Sequence, residues 1–457
     1  MSRTACDLLA ARASERPSAP ALVEAASGRT LTWSELDALA AKAAAVLRAS
    51  GARPGDRVVL ALPNVPEFFA ALLGAFREGV VAVPLDPRLA QAERRVISSH
   101  CEPKLEWGDA GALAAALERA PADPTPARAR PSEPALILYT SGTTGRPKGA
   151  VLTHSAVLAK LEAVAERFAL GESDRPLCLL PVCFGHALLS NCLPFLRHGG
   201  ALVLDAPFSL ASAGRLPRVL AERGVTTFSA VPGMLGALLQ IRSHLDAKGF
   251  AKLRFVTCAS APLPPALARE FSDWSGARVV DCYGLTETAS WIAADGEPLG
   301  CELRVDDAGL VEVRGPSLMA GYYKEPALTR EVLRDGWLAT GDLGRFDAAG
   351  RLVLTGRAKE IIIRNGVNIQ PAELDEVLAS HPDVAETATT AAADPVLGEV
   401  AVSHVVLKPG ARATAAQLLA HCRARLAAYK CPERIKIVEA LPRTSRGKID
   451  KKLLASE

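Results

Sequence analysis

Residues 138–150 read Leu-Tyr-Thr-Ser-Gly-Thr-Thr-Gly-Arg-Pro-Lys-Gly-Ala. Hydroxyls crowd this stretch at Tyr139, Thr140, Ser141, Thr143 and Thr144, interleaved with Gly142, Gly145 and Gly149 and one cation, Lys148. The apolar run Ala135–Leu138 reads as a buried strand feeding the loop. Such a loop suits a polyphosphate. Glycines let the backbone approach, N–H groups and hydroxyls bind oxygens, and the lysine offsets charge. A solvated linker of the same composition would need neither the strand nor the lysine. The spacing excludes a Walker loop: Pro147 stands five positions after Gly142, and Lys148 is followed by Gly149 rather than Ser or Thr.

Three further stretches could complete a nucleotide site. In Asp281-Cys-Tyr-Gly-Leu-Thr-Glu287 a Tyr-Gly pair can lay a ring flat against a base while the backbone turns. Thr286 and Glu287 then offer a hydroxyl for a phosphate oxygen and a carboxylate for a divalent cation. In Thr340-Gly-Asp-Leu343 a carboxylate just after a tight turn can accept two ribose hydroxyls. Leu441-Pro-Arg-Thr-Ser-Arg-Gly-Lys-Ile-Asp450 places Lys448 on a glycine-containing loop. Taken singly, these also suit a strand-to-turn segment, a turn aspartate and a solvated lysine.

Together and in this order, the four stretches resemble the adenylate-forming superfamily: acyl-CoA synthetases, aryl-CoA ligases, luciferases and peptide-synthetase adenylation domains. The resemblance spans nearly the whole chain. It implies that Thr140, Ser141, Gly142, Thr143, Thr144, Gly145 and Lys148 bind ATP phosphates, with Lys148 on the β/γ side. It implies that Tyr283 stacks on adenine, that Cys282 and Gly284 beside it belong to the ATP-binding set, that Asp281 meets the adenine edge, and that Ala261 and Pro262 form the other adenine wall. Thr286 would touch the α-phosphate, Glu287 would bind Mg²⁺, and Asp342 and Arg357 would hold the ribose. Lys448 would bridge the substrate carboxylate and the α-phosphate. Lys359, two residues beyond Arg357, would be the hinge about which a small domain swings between two half-reactions. Arg364–Glu373 resembles the acyl-CoA ligase form more than the peptide-synthetase form, with Gly366 against a pantetheine tunnel. Ala428-Tyr-Lys-Cys-Pro432 is similar to CoA ligases too and brings in Lys430.

The resemblance thins at the acid pocket. Pro181-Val-Cys-Phe-Gly-His-Ala-Leu188 lies where relatives carry a gating aromatic or histidine; Phe184 takes that place and His186 follows two residues later. Either could equally be core packing. Val231 and Ala259 complete the expected acyl wall, within Phe228–Leu235 and Cys258–Leu263. Ala259 stands where glycine is more usual and would narrow the pocket. No aspartate lies between Pro181 and Leu204, unlike relatives that activate α-amino acids. A small-molecule carboxylic acid, uncharged and of modest size, is the expected substrate.

The chemistry explains why these parts are needed together. Carboxylate attack on the α-phosphorus makes an acyl-adenylate and releases pyrophosphate, so two anions must be aligned and their repulsion offset. A thiol then takes the acyl group. The resemblance implies CoA, with the phosphopantetheine thiol of an acyl carrier protein as the alternative acceptor. A non-catalytic nucleotide-binding protein, and a P-loop phosphotransferase releasing ADP, are the readings from other classes.

These residues need a scaffold of more than one core. A chain of 457 residues with 49% apolar content should form at least two domains. A net charge of +3 implies neither a nucleic-acid nor an anionic-membrane partner. No apolar run reaches the ~18 residues of a membrane span, and the opening residues, which lack a long apolar core, are not expected to be a secretory signal. Ten scattered cysteines without a C-x-x-C pair read as reduced thiols of a cytoplasmic protein. Thr32-Trp-Ser-Glu35 is a capping box opening a helix that ends near Gly51, Arg57–Leu62 reads as a strand, and Asn64-Val-Pro-Glu67 reads as a cap for a second helix ending at Gly79. Alternation of this kind predicts α/β layers with parallel strands. Residues 300–355 read as short strands of a small β-barrel or meander, and a helix starts at Pro371 with Leu374, Val377 and Leu378 on one face. The expectation is an α/β protein: a large N-terminal adenylation domain over 1–356 that includes the small β-barrel, and a mobile α+β C-terminal lid over 357–457, with the boundary near Thr355–Lys359.

Overall fold

The structure, a computed structural model, describes residues 4–123, 129–140, 148–364, 367–394, 398–426, 428–444 and 447–455. Packing divides the chain into two compact units. The first comprises Met1–Glu302 and Val313–Leu338; the second comprises Leu303–Glu312 and Ala339–Glu457.

The first unit is built on two sheets. A nine-stranded sheet runs Glu297–Pro298, Ser290–Ala294, Arg278–Leu285, Phe255–Cys258, Thr227–Ala230, Pro176–Cys178, Leu202–Leu204, Pro20–Glu24, Thr30–Thr32. Its middle, from Arg278–Leu285 to Pro20–Glu24, is parallel. The six-stranded sheet runs Gly321–Tyr322, Lys148–Thr153, Pro134–Thr140, Val81–Pro84, Arg57–Leu60, Leu105–Trp107. Its half from Pro134–Thr140 onward is parallel, while Lys148–Thr153 and Gly321–Tyr322 return antiparallel. The parallel strands Arg57–Leu60, Val81–Pro84, Thr227–Ala230 and Phe255–Cys258 are short and almost wholly buried, as strands in sheets covered on both faces are.

The local signals set these elements. Helix Trp33–Ala49 opens on the capping box: Glu35 N donates to Thr32 Oγ1 at 3.3 Å and Thr32 N donates to Glu35 Oε2 at 2.8 Å. Helix Pro66–Glu78 buries Phe68, Phe69 and Phe76. It corrects one expectation: its N-cap is Val65, not Asn64. Asn64 is buried, and its Nδ2 donates to Leu180 O at 3.0 Å and Asp205 O at 2.9 Å while its Oδ1 accepts from Val182 N at 3.0 Å. A buried carboxamide must satisfy its own groups, so Asn64 ties down the segment that leads to Phe184 rather than a helix end.

A five-stranded sheet of Glu302–Val305, Leu310–Arg314, Trp337–Phe346, Leu333–Arg334 and Leu352–Arg357 contains the points where the chain passes between units. The expected β-rich texture of 300–355 is present. Its pairing is that of a sheet, and no barrel-closing pair occurs among the described residues.

In the second unit Val367–Ile369, Ile362–Arg364, Gly398–Leu407 and Val384–Asp394 form a sheet, with Arg434–Ile437 parallel to Gly398–Leu407. Helix Pro371–Ala379 starts on its proline and buries Leu374 and Leu378. All ten cysteines are free thiols and all but Cys301 are buried. Among the described residues no helix is long and apolar enough to cross a membrane.

Candidate active site

The strand Pro134–Thr140 and its antiparallel neighbour Lys148–Thr153 bring Thr140 and Lys148 opposite each other. The chain between them leaves and returns at paired residues. Ser141, Gly142, Thr143, Thr144 and Gly145 lie outside the described residues. Tyr139 is buried, and its Oη lies 2.7 Å from His100 Nδ1. Burial raises its phenol above the ordinary value, and its hydroxyl is engaged with His100 within the scaffold.

One tyrosine joins the loop to the second motif. Tyr322 Oη donates to Glu287 Oε1 at 2.7 Å, and Lys148 Nζ stands 5.6 Å from the centroid of the same ring. Gly321–Tyr322 reaches this place by pairing with Lys148–Thr153, Tyr322 opposite Ala150. Burial, then Glu287, raises the Tyr322 phenol, so it remains a donor. Glu287 lies in the single turn Thr286–Thr288 and is fixed through its carbonyl by Met319 N at 2.8 Å. Thr288 ties the turn, accepting from Leu285 N at 3.1 Å and donating to Ser290 O at 2.7 Å. We expect Tyr322→Phe, which keeps the ring under Lys148, to lower kcat/KM for MgATP about tenfold, the worth of one hydrogen bond to a charged group. Wild-type values would show that Glu287 needs no such partner.

Tyr283 lies half-buried on the strand Arg278–Leu285. Gly284 beside it is required by a close approach: a Cβ there would lie 2.2 Å from Ser290 O and 2.5 Å from Trp291 Cα. Lys160, fully buried, donates to Trp291 O and braces that crossing; burial pushes its ammonium down to about 8. Cys282 alternates to the inner face and packs with Val280, Trp291 and Ala294, leaving only its backbone toward Tyr283's side. Asp281 is open to solvent at its surface yet deep among protein atoms at its carboxyl, which burial and then Asp295 push up to about 6. Its N–H donates to Asp295 Oδ1 at 2.9 Å.

Cys258 is in register with Asp281, so the turn after Cys258 leaves the sheet beside the Tyr283 motif. Ala261 and Pro262 are exposed there. Ala259 is buried in the cluster with Cys282 and Trp291. Val231 caps helix Pro232–Gln240 and packs against the cluster containing Phe228 and Leu235. Phe184 and His186 are half-buried, His186 opening a π-helical turn, His186–Cys192. Its Nδ1 lies 3.0 Å from Ser260 Oγ and its ring meets Trp291 edge-on at 5.4 Å. Ser260 has φ +73°, a left-handed conformation costing a non-glycine residue roughly 1–2 kcal/mol. The sequence pointed to neither Ser260 nor Tyr322. Nothing local marks a strained serine between two alanines, or a tyrosine placed by a long-range strand pair.

The second unit holds the remaining candidates. Asp342, buried, follows Gly341 at φ +77°, a turn open to glycine. Asp342 N donates to Thr340 Oγ1 at 3.0 Å, and Thr340 Oγ1 donates to Val311 O at 2.7 Å. Arg357 is in register with Asp342, and its Nε lies 2.9 Å from Asp342 Oδ1. Lys359 lies in the turn Ala358–Glu360. Gly366 lies outside the described residues. Lys430 Nζ meets both Glu373 oxygens, at 2.7 and 2.8 Å, and is thus held in an ion pair. Lys448 is exposed on a loop closed by Thr444 N donating to Lys448 O at 2.8 Å. No cluster of three metal-ligating side chains occurs among the described residues. Glu287 offers a single carboxylate. That suits Mg²⁺, which takes few protein ligands and fills its sphere with phosphates and water.

Known proteins share this sequence pattern and this fold. A model of the AMP-binding enzyme family matches residues 9–323, and a model of the AMP-binding enzyme C-terminal domain matches 373–448. The chain is 36% identical to the sulfoacetate–CoA ligase of Cupriavidus necator, covering 98% of this chain and 96% of that one. The ATP-bound structure of MatB from Rhodopseudomonas palustris superposes with a TM-score of 0.91 at 28% identity, over 100% of this chain and 99% of that one. The o-succinylbenzoate–CoA synthetase MenE of Bacillus subtilis, solved with its acyl-adenylate intermediate, superposes with a TM-score of 0.87 at 29% identity, over 98% and 97%. With two thirds of its length under one family model and its C-terminal part under that model's companion, the chain belongs to the AMP-binding enzyme family.

Proposed function

We propose that the chain is an AMP-forming acid–CoA ligase: it activates a small carboxylic acid with ATP, releases pyrophosphate, and passes the acyl group to the CoA thiol. One observation carries the reading most. Tyr322 gathers Lys148, at the neck of the phosphate loop, and Glu287, beyond the Tyr-Gly turn, onto one ring. A cation and a carboxylate brought together at such a loop serve a nucleotide triphosphate with its counter-ion, and that need is shared by few other chemistries.

The roles follow from the chemistry. Tyr283 lies against adenine, with Asp281, Ala261 and Pro262 around the base. Asp342 accepts the ribose hydroxyls, oriented by Arg357. Thr140, Lys148 and the loop 141–145 hold the phosphates, and Thr286 meets the α-phosphate. Bound Mg²⁺ would neutralise phosphate charge beside Glu287. Lys448 bridges the attacking carboxylate and the α-phosphate, where charge grows most as the bond forms. The segment after Arg357 pivots at Lys359, so that 357–457 acts as the lid and 1–356 as the adenylation domain; Gly366 then serves the thiol tunnel.

The acid site lies among Phe184, His186, Val231 and Ala259. The wall is mainly apolar, and alanine rather than glycine at 259 would narrow it, which favours a short or aromatic acid over a long chain. The His186–Ser260 contact adds a polar spot to it. That observation brings small acids with a second acceptor group, such as the sulfoacetate named for the similar ligase, into the test panel.

Product analysis tests the reading. With a cognate acid and ATP we expect AMP and acyl-CoA in equal amounts. Release of ADP would overturn the mechanism. Faster acyl transfer to a holo-carrier protein than to CoA would replace CoA as the acceptor.

A further inference from the structure

The loop that carries Lys448 is fastened at both ends within the second unit. At its start, Arg443 Nη2 meets the two oxygens of Glu386 at 2.8 and 2.7 Å, and its Nη1 donates to Gly447 O at 3.0 Å. Arg443 pairs with Ile449 across the loop, and Asp450 N donates to Pro442 O at 2.8 Å. These contacts close the base of the loop on itself.

Its far end has a different anchor. Lys451, the first residue of the turn of helix Lys451–Ala455, places its ammonium 2.8 Å from Glu360 Oε2 and 3.9 Å from Asp375 Oδ2. Glu360 directly follows Lys359 and ends the turn Ala358–Glu360. Asp375 sits on helix Pro371–Ala379, where it accepts from Thr389 Oγ1 at 2.7 Å and from Thr387 Oγ1 at 3.4 Å. Thr389 is fully buried and meets Ser403 Oγ at 2.7 Å across the sheet. Lys451 therefore joins three things: the turn after Lys359, the core of its unit through Asp375, and the end of the Lys448 loop. Lys451 is three positions after Lys448, a reach of about 10 Å at full extension.

We propose that Lys451 is a positioning residue that couples the turn at Lys359–Glu360 to the catalytic loop, so that Lys448 moves as one piece with the segment that pivots. This rests on the ligase reading and on the roles proposed for Lys359 and Lys448. Two carboxylates from separate elements share one ammonium, so the lysine defines the loop's placement rather than merely covering surface. A loop freed at this end keeps its fold but loses the aim of Lys448, and misplacement of about 1 Å can cost a hundredfold in rate.

The test compares Lys451→Met and Lys451→Arg in the full-length enzyme, measuring acid-dependent ATP–pyrophosphate exchange, thioester formation from a supplied acyl-adenylate, and melting temperature. For Lys451→Met we expect the exchange kcat to fall about tenfold to a hundredfold, with KM for ATP and acid within about twofold and the thioester step nearly unchanged. Lys451→Arg should restore most of the exchange. If Lys451→Met does not fold, Glu360→Gln removes the partner's charge at constant shape and should give the same split. Full exchange in a folded Lys451→Met, or equal loss of both steps without rescue by arginine, overturns the coupling. Absence of exchange in the unsubstituted enzyme, with every acid tried, overturns the ligase reading instead.

Discussion

Lys448→Ala is expected to lose acid-dependent pyrophosphate exchange by at least a hundredfold, while forming thioester from a supplied acyl-adenylate at close to the wild-type rate. The asymmetry follows from where charge develops. During adenylation an anion attacks a phosphorus that bears anionic oxygens, and an ammonium in the role proposed for Lys448 would stabilise the transition state more than the ground state. Losing one such preorganised contact costs about 3–4 kcal/mol of barrier. In the second step the attacking thiol meets a carbonyl that is already activated, and the lysine has no comparable charge to offset. Lys448 is exposed on its loop and outside the buried clusters of its unit, so the substitution should leave the melting temperature nearly unchanged. Equal losses in both steps would contradict the assigned role.

Glu287→Gln should be nearly as severe, about a hundredfold in exchange, with a different signature. The substituted amide still accepts from Tyr322 Oη, so the turn Thr286–Thr288 should stand. What would be lost is the negative charge that the proposed function gives the task of recruiting Mg²⁺. We therefore expect the Mg²⁺ concentration for half-maximal activity to rise, with part of the rate recovered at high Mg²⁺. A hundredfold loss at unchanged Mg²⁺ dependence would assign Glu287 to another task. The contrast with Tyr322→Phe is informative, because that change removes the hydrogen bond and keeps both charges.

Much of this architecture was legible in the sequence because its signals are local. The capping box at Thr32–Glu35 is closed as its spacing requires, and helix Pro371–Ala379 begins on its proline with the apolar face inward. The alternation of strands and helices gave parallel sheets. The order of the four motifs gave the family, which the family models bear out. What escaped depends on partners distant in sequence. Asn64 has the right type and place for a cap, yet three backbone groups near Leu180, Val182 and Asp205 claim its carboxamide. Tyr139 looked like one more loop hydroxyl until His100 was found beside it. Cys282 sits inside a motif whose resemblance implies nucleotide contacts, but strand alternation turns its thiol into the core. Tyr322 reaches Glu287 through a two-residue strand that no periodicity reveals. Ser260 is marked by its φ and by its contact with His186, neither of which the sequence displays.

ATP–pyrophosphate exchange across a panel of acids (short aliphatic, medium-chain, aromatic, sulfonated or dicarboxylic, and α-amino) tests the central claim most directly. The account predicts exchange that depends on one class of small acid, falls off with chain length, and is absent with α-amino acids. Strong exchange with a long-chain acid would contradict the narrow pocket attributed to Ala259. No exchange with any acid, from protein that binds ATP, would contradict the claim that these residues activate a carboxylate.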